Sequence, residues 1–230
     1  ISECLVGSEM CIRDRYNLDG TFVTDYDLGE RLNKPKLSLN PDGSISLVHL
    51  CFQGMSEMMG AVITPDSTIT KYIPAPGQAI NPRDKNGSFV GFNNEIWSYN
   101  NVEGFKYMMM PVDTLYNYNA AANKMEAQFA LSNPPVGEDV FLIYDELPGK
   151  YLATVWGKGT IVVDNKNNNS HYVKLVNDYF GGLPAPMNFT NGWFFAMYEP
   201  AVLMENIEKR MAASDCTDTV SYTHLTLPTT

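Results

Sequence analysis

Short apolar segments separated by tight polar turns recur along most of this chain, and this pattern restricts it to an all-β fold. The clearest turn is Asn-Pro-Asp-Gly at 40–43, which joins predicted strands at 37–39 and 44–52. Further hairpins are predicted at 60–73, 88–99, 105–118 and 151–163, with single strands at 171–176 and 192–198. Many short strands at such intervals are typical of a sandwich, a barrel or a propeller.

One segment departs from this pattern and predicts a helix over 201–213. Leu203, Ile207 and Met211 recur at helical spacing, and Pro200 stands where a first-turn proline is tolerated. The charged residues around them would face water. We therefore expect one C-terminal helix packed on the surface of the β domain.

A faint repeat runs through the first third of the chain. Residues 16–23, 39–45 and 62–69 each read as apolar positions, a turn, an aspartate, a small residue and apolar positions again. Repeats of a strand and its hairpin partner suggest propeller blades of ~40–45 residues. By this measure the chain holds about four to five blades.

The two ends of the chain are related through the genetic code. Residues 10–14 (Met-Cys-Ile-Arg-Asp) can be encoded by ATG TGT ATA AGA GAC, and the reverse complement of that string encodes Val-Ser-Tyr-Thr-His, residues 220–224. This inverted repeat resembles a transposon end used in library preparation. We therefore expect residues 1–15 and 220–230 to be translated adapter DNA, with the native protein at 16–219. That range keeps two cysteines, Cys51 and Cys216, which we expect to be free rather than bridged.

Charge and hydropathy exclude several classes of partner. The net charge is −10 and no basic cluster is present. This argues against binding to nucleic acid, whose phosphates need Lys and Arg, and against binding to an anionic membrane surface. No apolar run approaches the ~18 residues of a transmembrane helix.

Two motifs carry a resemblance to a known family. Residues 177–184 (Asn-Asp-Tyr-Phe-Gly-Gly-Leu-Pro) precede the predicted strand at 192–198 and the predicted helix, and residues 113–118 read Asp-Thr-Leu-Tyr-Asn-Tyr. This order resembles six-bladed β-propeller proteins abundant in Bacteroidetes, which are similar to TolB-like and NHL-like propellers. The resemblance covers 88–213 best, and implies an incomplete six-bladed propeller.

The same resemblance implies a location and a range of activities. Members of the family look like exported, often lipid-anchored proteins of the bacterial cell envelope, so the resemblance implies an extracytoplasmic location. Their propeller is shared with lyases, lactonases and binding modules, and a fold alone does not determine function.

The candidate ligand-binding residues are aromatic side chains on predicted strands and one polar loop. Trp97, Tyr99 and Tyr116 could stack on sugars at a propeller mouth, although packing between blades is the favoured interpretation. Asn177 and Asp178, with two glycines following, could offer oxygen ligands to Ca²⁺; a turn that needs glycine explains them as well. We predict no other cofactor.

Other distinctive residues favour structural roles. His49 and Cys51 lie two apart on a predicted strand and could share a metal, but a half-buried strand face is favoured. The methionines at 108–110 are typical of core filling, and Asp113 is typical of a turn. No nucleophile elbow, zinc-type histidine cluster or phosphate loop is present.

The sequence thus favours a non-catalytic envelope propeller that binds a small molecule, a glycan or an envelope protein. The alternative is a propeller enzyme of the lyase or lactonase type with a metal in the central channel. An incomplete propeller also has unpaired sheet edges, so we expect the isolated chain to aggregate.

Overall fold

The computed structural model describes residues 14–75, 77–91, 94–99, 101–110, 112–132, 142–155, 158–174, 176–177, 183–184, 188–190, 193–195 and 198–213. Within these ranges the chain forms antiparallel sheets and one helix, which confirms the all-β fold class. The predicted C-terminal helix is present as α1 (Pro200–Ala213). Leu203 and Ile207 are half-buried while Glu205 and Lys209 are exposed, as the helical spacing predicts.

The strands follow one another in simple up-and-down order. A two-stranded hairpin, β1 (Asp14–Tyr16) and β2 (Phe22–Asp25), comes first. Sheet A then contains β3 (Lys36–Leu39), β4 (Ile45–Val48), β5 (Gly60–Ile63) and β6 (Ile69–Tyr72). Sheet B contains β7 (Ile96–Trp97), β8 (Phe105–Met109), β9 (Leu115–Asn119) and β10 (Lys124–Phe129). Sheet C contains β11 (Leu142–Leu147), β12 (Lys150–Val155), β13 (Gly159–Asp164) and β14 (Ser170–Val173).

Two short hairpins precede the helix. They pair β15 (Val176–Asn177) with β16 (Leu183–Pro184), and β17 (Asn188–Thr190) with β18 (Trp193–Phe195). In each of sheets A, B and C, the four strands lie in sequence order, so that each strand pairs with the next one in the chain and the first and last strands form the edges. The described part of the chain is therefore a series of antiparallel meanders.

The faint sequence repeat corresponds to one recurring turn geometry. In the turns after β1, β3 and β5, the carboxylate of Asp19, Asp42 or Asp66 accepts a hydrogen bond from the backbone amide two residues further on, at 2.9–3.2 Å. The residue between them has positive φ: 84° at Gly20, 81° at Gly43 and 68° at Ser67. The aspartate satisfies a turn amide and the small residue permits the left-handed backbone, so the repeat encodes hairpin closure.

Most predicted hairpins are present, and one is wrong. The pairs β3–β4, β5–β6, β8–β9 and β12–β13 match the predictions. Among the residues of 88–99 that the structure describes, the predicted pairing is not found: Phe89 bridges to Arg83, and β7 pairs with β8. The predicted strand at 44–52 also ends early, at Val48.

Successive sheets pack face to face through apolar clusters. Between sheets A and B, buried side chains such as Val62 and Met59 meet Tyr107 and Met109. Between sheets B and C, Met108 and Leu115 pack against Tyr144 and Ala153. Neighbours in a strand point to opposite faces, so Met108 and Met109 fill two different clusters.

None of the described helical residues forms a segment long and apolar enough to cross a membrane. Of the segments expected to derive from adapter DNA, residues 1–13 and 220–230 lie outside the described residues. Asp14 and Arg15 pair with Asp25 and Thr24 in an exposed hairpin.

Candidate functional site

The three aromatic candidates occupy different environments. Trp97, in β7, is half-buried and pairs with Met108, which places it on the face of sheet B that packs on sheet C. Tyr99 follows two residues later and is also half-buried. Tyr116 is only 8% exposed and stacks on Tyr107 with ring centroids 5.7 Å apart. Tyr116 therefore packs in the core between sheets A and B, whereas Trp97 and Tyr99 retain exposed surface.

The candidate calcium loop is described only in part. Asn177 lies in β15 and pairs with Leu183 in β16. Asp178 and the glycines at 181 and 182 lie outside the described residues. Calcium binding at this loop therefore stays a prediction.

His49 and Cys51 are fully buried, so the predicted half-buried strand face is wrong for both. The His49 Nε2 atom lies 2.9 Å from the carbonyl oxygen of Met58, and its Nδ1 atom accepts a 3.4 Å hydrogen bond from the Asn33 amide. Burial lowers the pKa of His49 and raises the pKa of the Cys51 thiol to about 11. His49 is therefore neutral and has both ring nitrogens in hydrogen bonds, and the Cys51 thiol is protonated. Both residues have structural roles in the core.

A polar cluster lies instead where β11 meets the segment between β7 and β8. We name it the Asp145 cluster: Tyr99, Asn101, Lys106, Asp145 and Glu146. Asp145 is only 6% exposed. The Asn101 side-chain amide donates a 2.9 Å hydrogen bond to its Oδ2 atom, while the buried Oδ1 atom has no hydrogen-bond partner. A buried polar atom without a partner is uncommon and costly, and it marks a place where a further donor would be favourable.

The second half of the cluster lies on the opposite face of β11, because Asp145 and Glu146 are neighbours in a strand. The Lys106 Nζ atom lies 3.3 Å from the Oε2 atom of Glu146, and the two side chains are 9% and 12% exposed. Lys106 also lies 3.5 Å from the side-chain oxygen of Gln128, whose amide donates a 3.0 Å bond to the Tyr151 hydroxyl. Sheets B and C are thus joined by a nearly buried ion pair beside their apolar cluster.

Burial changes the proton affinity of this cluster. Removal from water raises the pKa of Asp145 to about 7, and the charge of Glu146 adds to the rise. The hydrogen bond from Asn101 and the dipole of the nearby Glu146 backbone amide lower the pKa and so oppose the rise. Burial, with the charge of Asp145, also raises the pKa of Tyr99. Asp145 can therefore both accept and donate a proton near neutral pH, as acid–base groups in binding and catalytic sites do.

Sequence reasoning missed Asp145 because it missed β11. Residues 142–147 read Leu-Ile-Tyr-Asp-Glu-Leu, and the two adjacent acids resemble a loop. The available signal was the leucine that follows them, together with the Pro-Gly turn that leads into β12.

No protein-family model matches the chain, and comparison with curated proteins and with solved structures finds no match. The functional argument therefore depends on the Asp145 cluster and on the sheet architecture.

Proposed function

We propose that the chain is part of a β-propeller of the bacterial cell envelope, and that it binds a small polar ligand, such as a glycan, without converting it. Three successive four-stranded meanders support the propeller, because each packs face to face on the next. A blade is a sheet of this kind. The shared turn geometry of the first hairpins supports a repeated unit.

The envelope location is supported by the motif at 177–184 and by composition. Only 18% of the residues are charged, and the chain is rich in Asn, Tyr and Gly. This composition suits polar turns between short strands in a protein outside the cytoplasm.

The unpartnered Oδ1 atom of Asp145 is the observation that carries the ligand proposal. It lies beside Tyr99, whose half-buried ring offers an aromatic face, and Trp97 lies two residues before Tyr99 in the chain, in β7. Aromatic faces combined with a few precisely placed polar groups are typical of small-molecule sites. A ligand rich in hydroxyl groups would donate to Asp145 and stack on the rings.

The proposal is tested by titrating the full chain with a panel of neutral and acidic oligosaccharides and measuring the heat of binding. Binding should weaken at least about tenfold in Tyr99→Ala and in Asp145→Ala, since each removes a direct contact. Tyr172→Phe is the matched control, because the Tyr172 ring is exposed on β14 in sheet C. Equal affinity in wild type and both site variants would refute the proposed site.

A second candidate is a propeller enzyme of the lyase or lactonase type, and the pKa of Asp145 favours it. A carboxyl group that titrates at about 7 is suited to general acid–base catalysis. Turnover of chromogenic esters, lactones and uronate polymers, with and without added Ca²⁺, would reveal such an activity. Turnover that is lost in Asp145→Asn would establish the enzyme; retained binding without turnover would favour the binding protein.

A further inference from the structure

An exposed turn at 84–88, between sheets A and B in the chain, contains an asparagine followed by a glycine. The pair Asn-Gly occurs at 86–87 and at 191–192, and the second pair lies outside the described residues. Asn86 and Gly87 are both exposed, and the hydrogen bond that Asn86 donates comes from its backbone amide. The side-chain amide of Asn86 therefore lies in water next to the backbone nitrogen of a residue without a side chain.

We propose that Asn86 is a site of spontaneous deamidation, and that Asp84 slows the reaction by holding the turn closed. The backbone nitrogen of Gly87 attacks the side-chain carbonyl carbon of Asn86 and forms a C–N bond. The bond from that carbon to the side-chain nitrogen breaks, and the nitrogen leaves as ammonia together with the proton of the Gly87 amide. Water then opens the resulting succinimide at either carbonyl, which gives aspartate or isoaspartate. The inference requires no ligand and goes beyond the proposed function.

The glycine at position 87 leaves the attacking nitrogen unhindered, because glycine has no Cβ. A Cβ built at Gly87 would have nothing within 4 Å, so the space beside this residue is open. Other asparagines are less suited to the reaction. Asn40 precedes Pro41, which has no backbone N–H. The side chain of Asn123 donates a 3.0 Å hydrogen bond to the carbonyl oxygen of Lys71 and is held in place.

Asp84 closes the turn through both its side chain and its backbone. Its Oδ1 atom accepts 2.8 Å hydrogen bonds from the backbone amides of Asn86 and Ser88. Its carbonyl oxygen accepts a 3.0 Å hydrogen bond from the Gly87 amide, which contains the nitrogen that must react. While these bonds are formed, the Gly87 nitrogen is not free to attack. The turn must therefore open before the succinimide forms.

Opening of this turn should be local, because the bonds that close it lie within it or beside it. Residues 83–89 are all exposed. The Arg83 side chain donates a 2.8 Å hydrogen bond to the carbonyl oxygen of Gly87, and the same arginine bridges to Phe89 at the base of the turn. Exposed segments with few buried contacts open at low cost. Asn86 can therefore react while the sheets stay folded.

Either product changes the turn. Aspartate and isoaspartate both add a negative charge two residues from Asp84, and like charges repel. Isoaspartate also carries the main chain through its Cβ atom, which lengthens the turn by an extra carbon. The hydrogen bonds from positions 86 and 88 to Asp84 would then not keep their present register.

The test is to incubate the full chain at constant pH and temperature and to follow each asparagine by peptide mass spectrometry, with chromatographic separation of aspartate from isoaspartate. Asn86 should convert faster than Asn169, which is also exposed but precedes Ser170, and should yield isoaspartate. Asp84→Ala should raise the rate at Asn86 by at least about twofold, because it removes hydrogen bonds that close the turn. Asp25→Ala, at an exposed aspartate outside the turn, should leave this rate unchanged.

Three outcomes would overturn the inference. Asn169 could convert before Asn86, or Asn86 could yield aspartate without isoaspartate, which would exclude a succinimide. Alternatively, Asp84→Ala could leave the rate at Asn86 unchanged. Circular dichroism shows whether Asp84→Ala keeps its sheets. If it does not, the wild type decides: Asn86 should convert more slowly in buffer than in guanidinium chloride, where the turn is open, and equal rates would overturn the role of Asp84.

Discussion

Asn101 donates a 2.9 Å hydrogen bond to the carboxylate of Asp145, 44 residues further along the chain. This one bond links the connection between β7 and β8 to the first strand of sheet C. The half-buried Tyr99 lies close enough to Asp145 for the charge of the carboxylate to raise the pKa of its hydroxyl group.

Removal of this bond should cost more stability at high pH than at low pH. In Asn101→Ala the carboxylate loses its side-chain donor, at a cost of about 1–3 kcal/mol when the acid is ionised. Below pH 5 the acid is neutral and the loss should be smaller, because the hydrogen bond favours the charged form. Urea unfolding at pH 5 and pH 8 measures the difference. The control is Asn165→Ala, at an exposed turn position, which should change the free energy of unfolding by less than about 0.5 kcal/mol at both pH values. Equal losses for Asn101→Ala at the two pH values would contradict a hydrogen bond between Asn101 and an ionised Asp145.

Ser67→Gly should stabilise the protein by about 1 kcal/mol. Ser67 has φ of 68° in a turn where the equivalent positions are Gly20 and Gly43. Glycine adopts this left-handed backbone without the steric penalty of a side chain. Gly43→Ser is the reverse control and should destabilise by a similar amount, since its Cβ would meet only Pro65 at an ordinary 3.6 Å. The measurement is the melting temperature of each variant relative to the wild type. A lower melting temperature for Ser67→Gly would contradict the predicted stabilisation.

Lys106→Met should destabilise the protein by about 3–5 kcal/mol, because it leaves the charge of Glu146 nearly buried without its cation. The double variant Lys106→Met, Glu146→Leu removes both charges and should recover part of that loss. A double-mutant cycle in urea measures the coupling. If the double variant lost as much as the two single variants added together, the ion pair would not contribute.

Gly104→Ala should destabilise the protein more than Gly77→Ala. Both glycines have positive φ, 100° and 89°, so both substitutions strain the backbone by about 1 kcal/mol. At Gly104 the added Cβ would also lie 2.5 Å from the side-chain oxygen of Asn117, whereas nothing lies within 4 Å at Gly77. We expect an additional loss of at least about 1 kcal/mol at Gly104, measured by urea unfolding. Equal losses would show that the Asn117 side chain moves aside freely.

Local turn chemistry accounts for the hairpins that the sequence predicted correctly. At Asp42 and Gly43 the carboxylate and the positive φ close the turn within a few residues, so no distant contact is needed. The predicted hairpin at 88–99 failed because the pairing of Ile96 with Met109 depends on sheet B as a whole. Aromatic candidates were found by residue type, but the sequence did not distinguish the buried Tyr116 from the half-buried Tyr99.

By itself the sequence determined the strand-and-turn pattern, the all-β class and the C-terminal helix, because hydrophobic period and turn residues act over short distances. Only the tertiary structure decided which strands pair across longer connections, and that His49 is a core residue. It also decided that Asp145 is nearly buried and accepts a hydrogen bond from Asn101. A pKa near 7 is not a property of an aspartate in a sequence; it arises because the folded chain buries the Asp145 carboxyl group away from water.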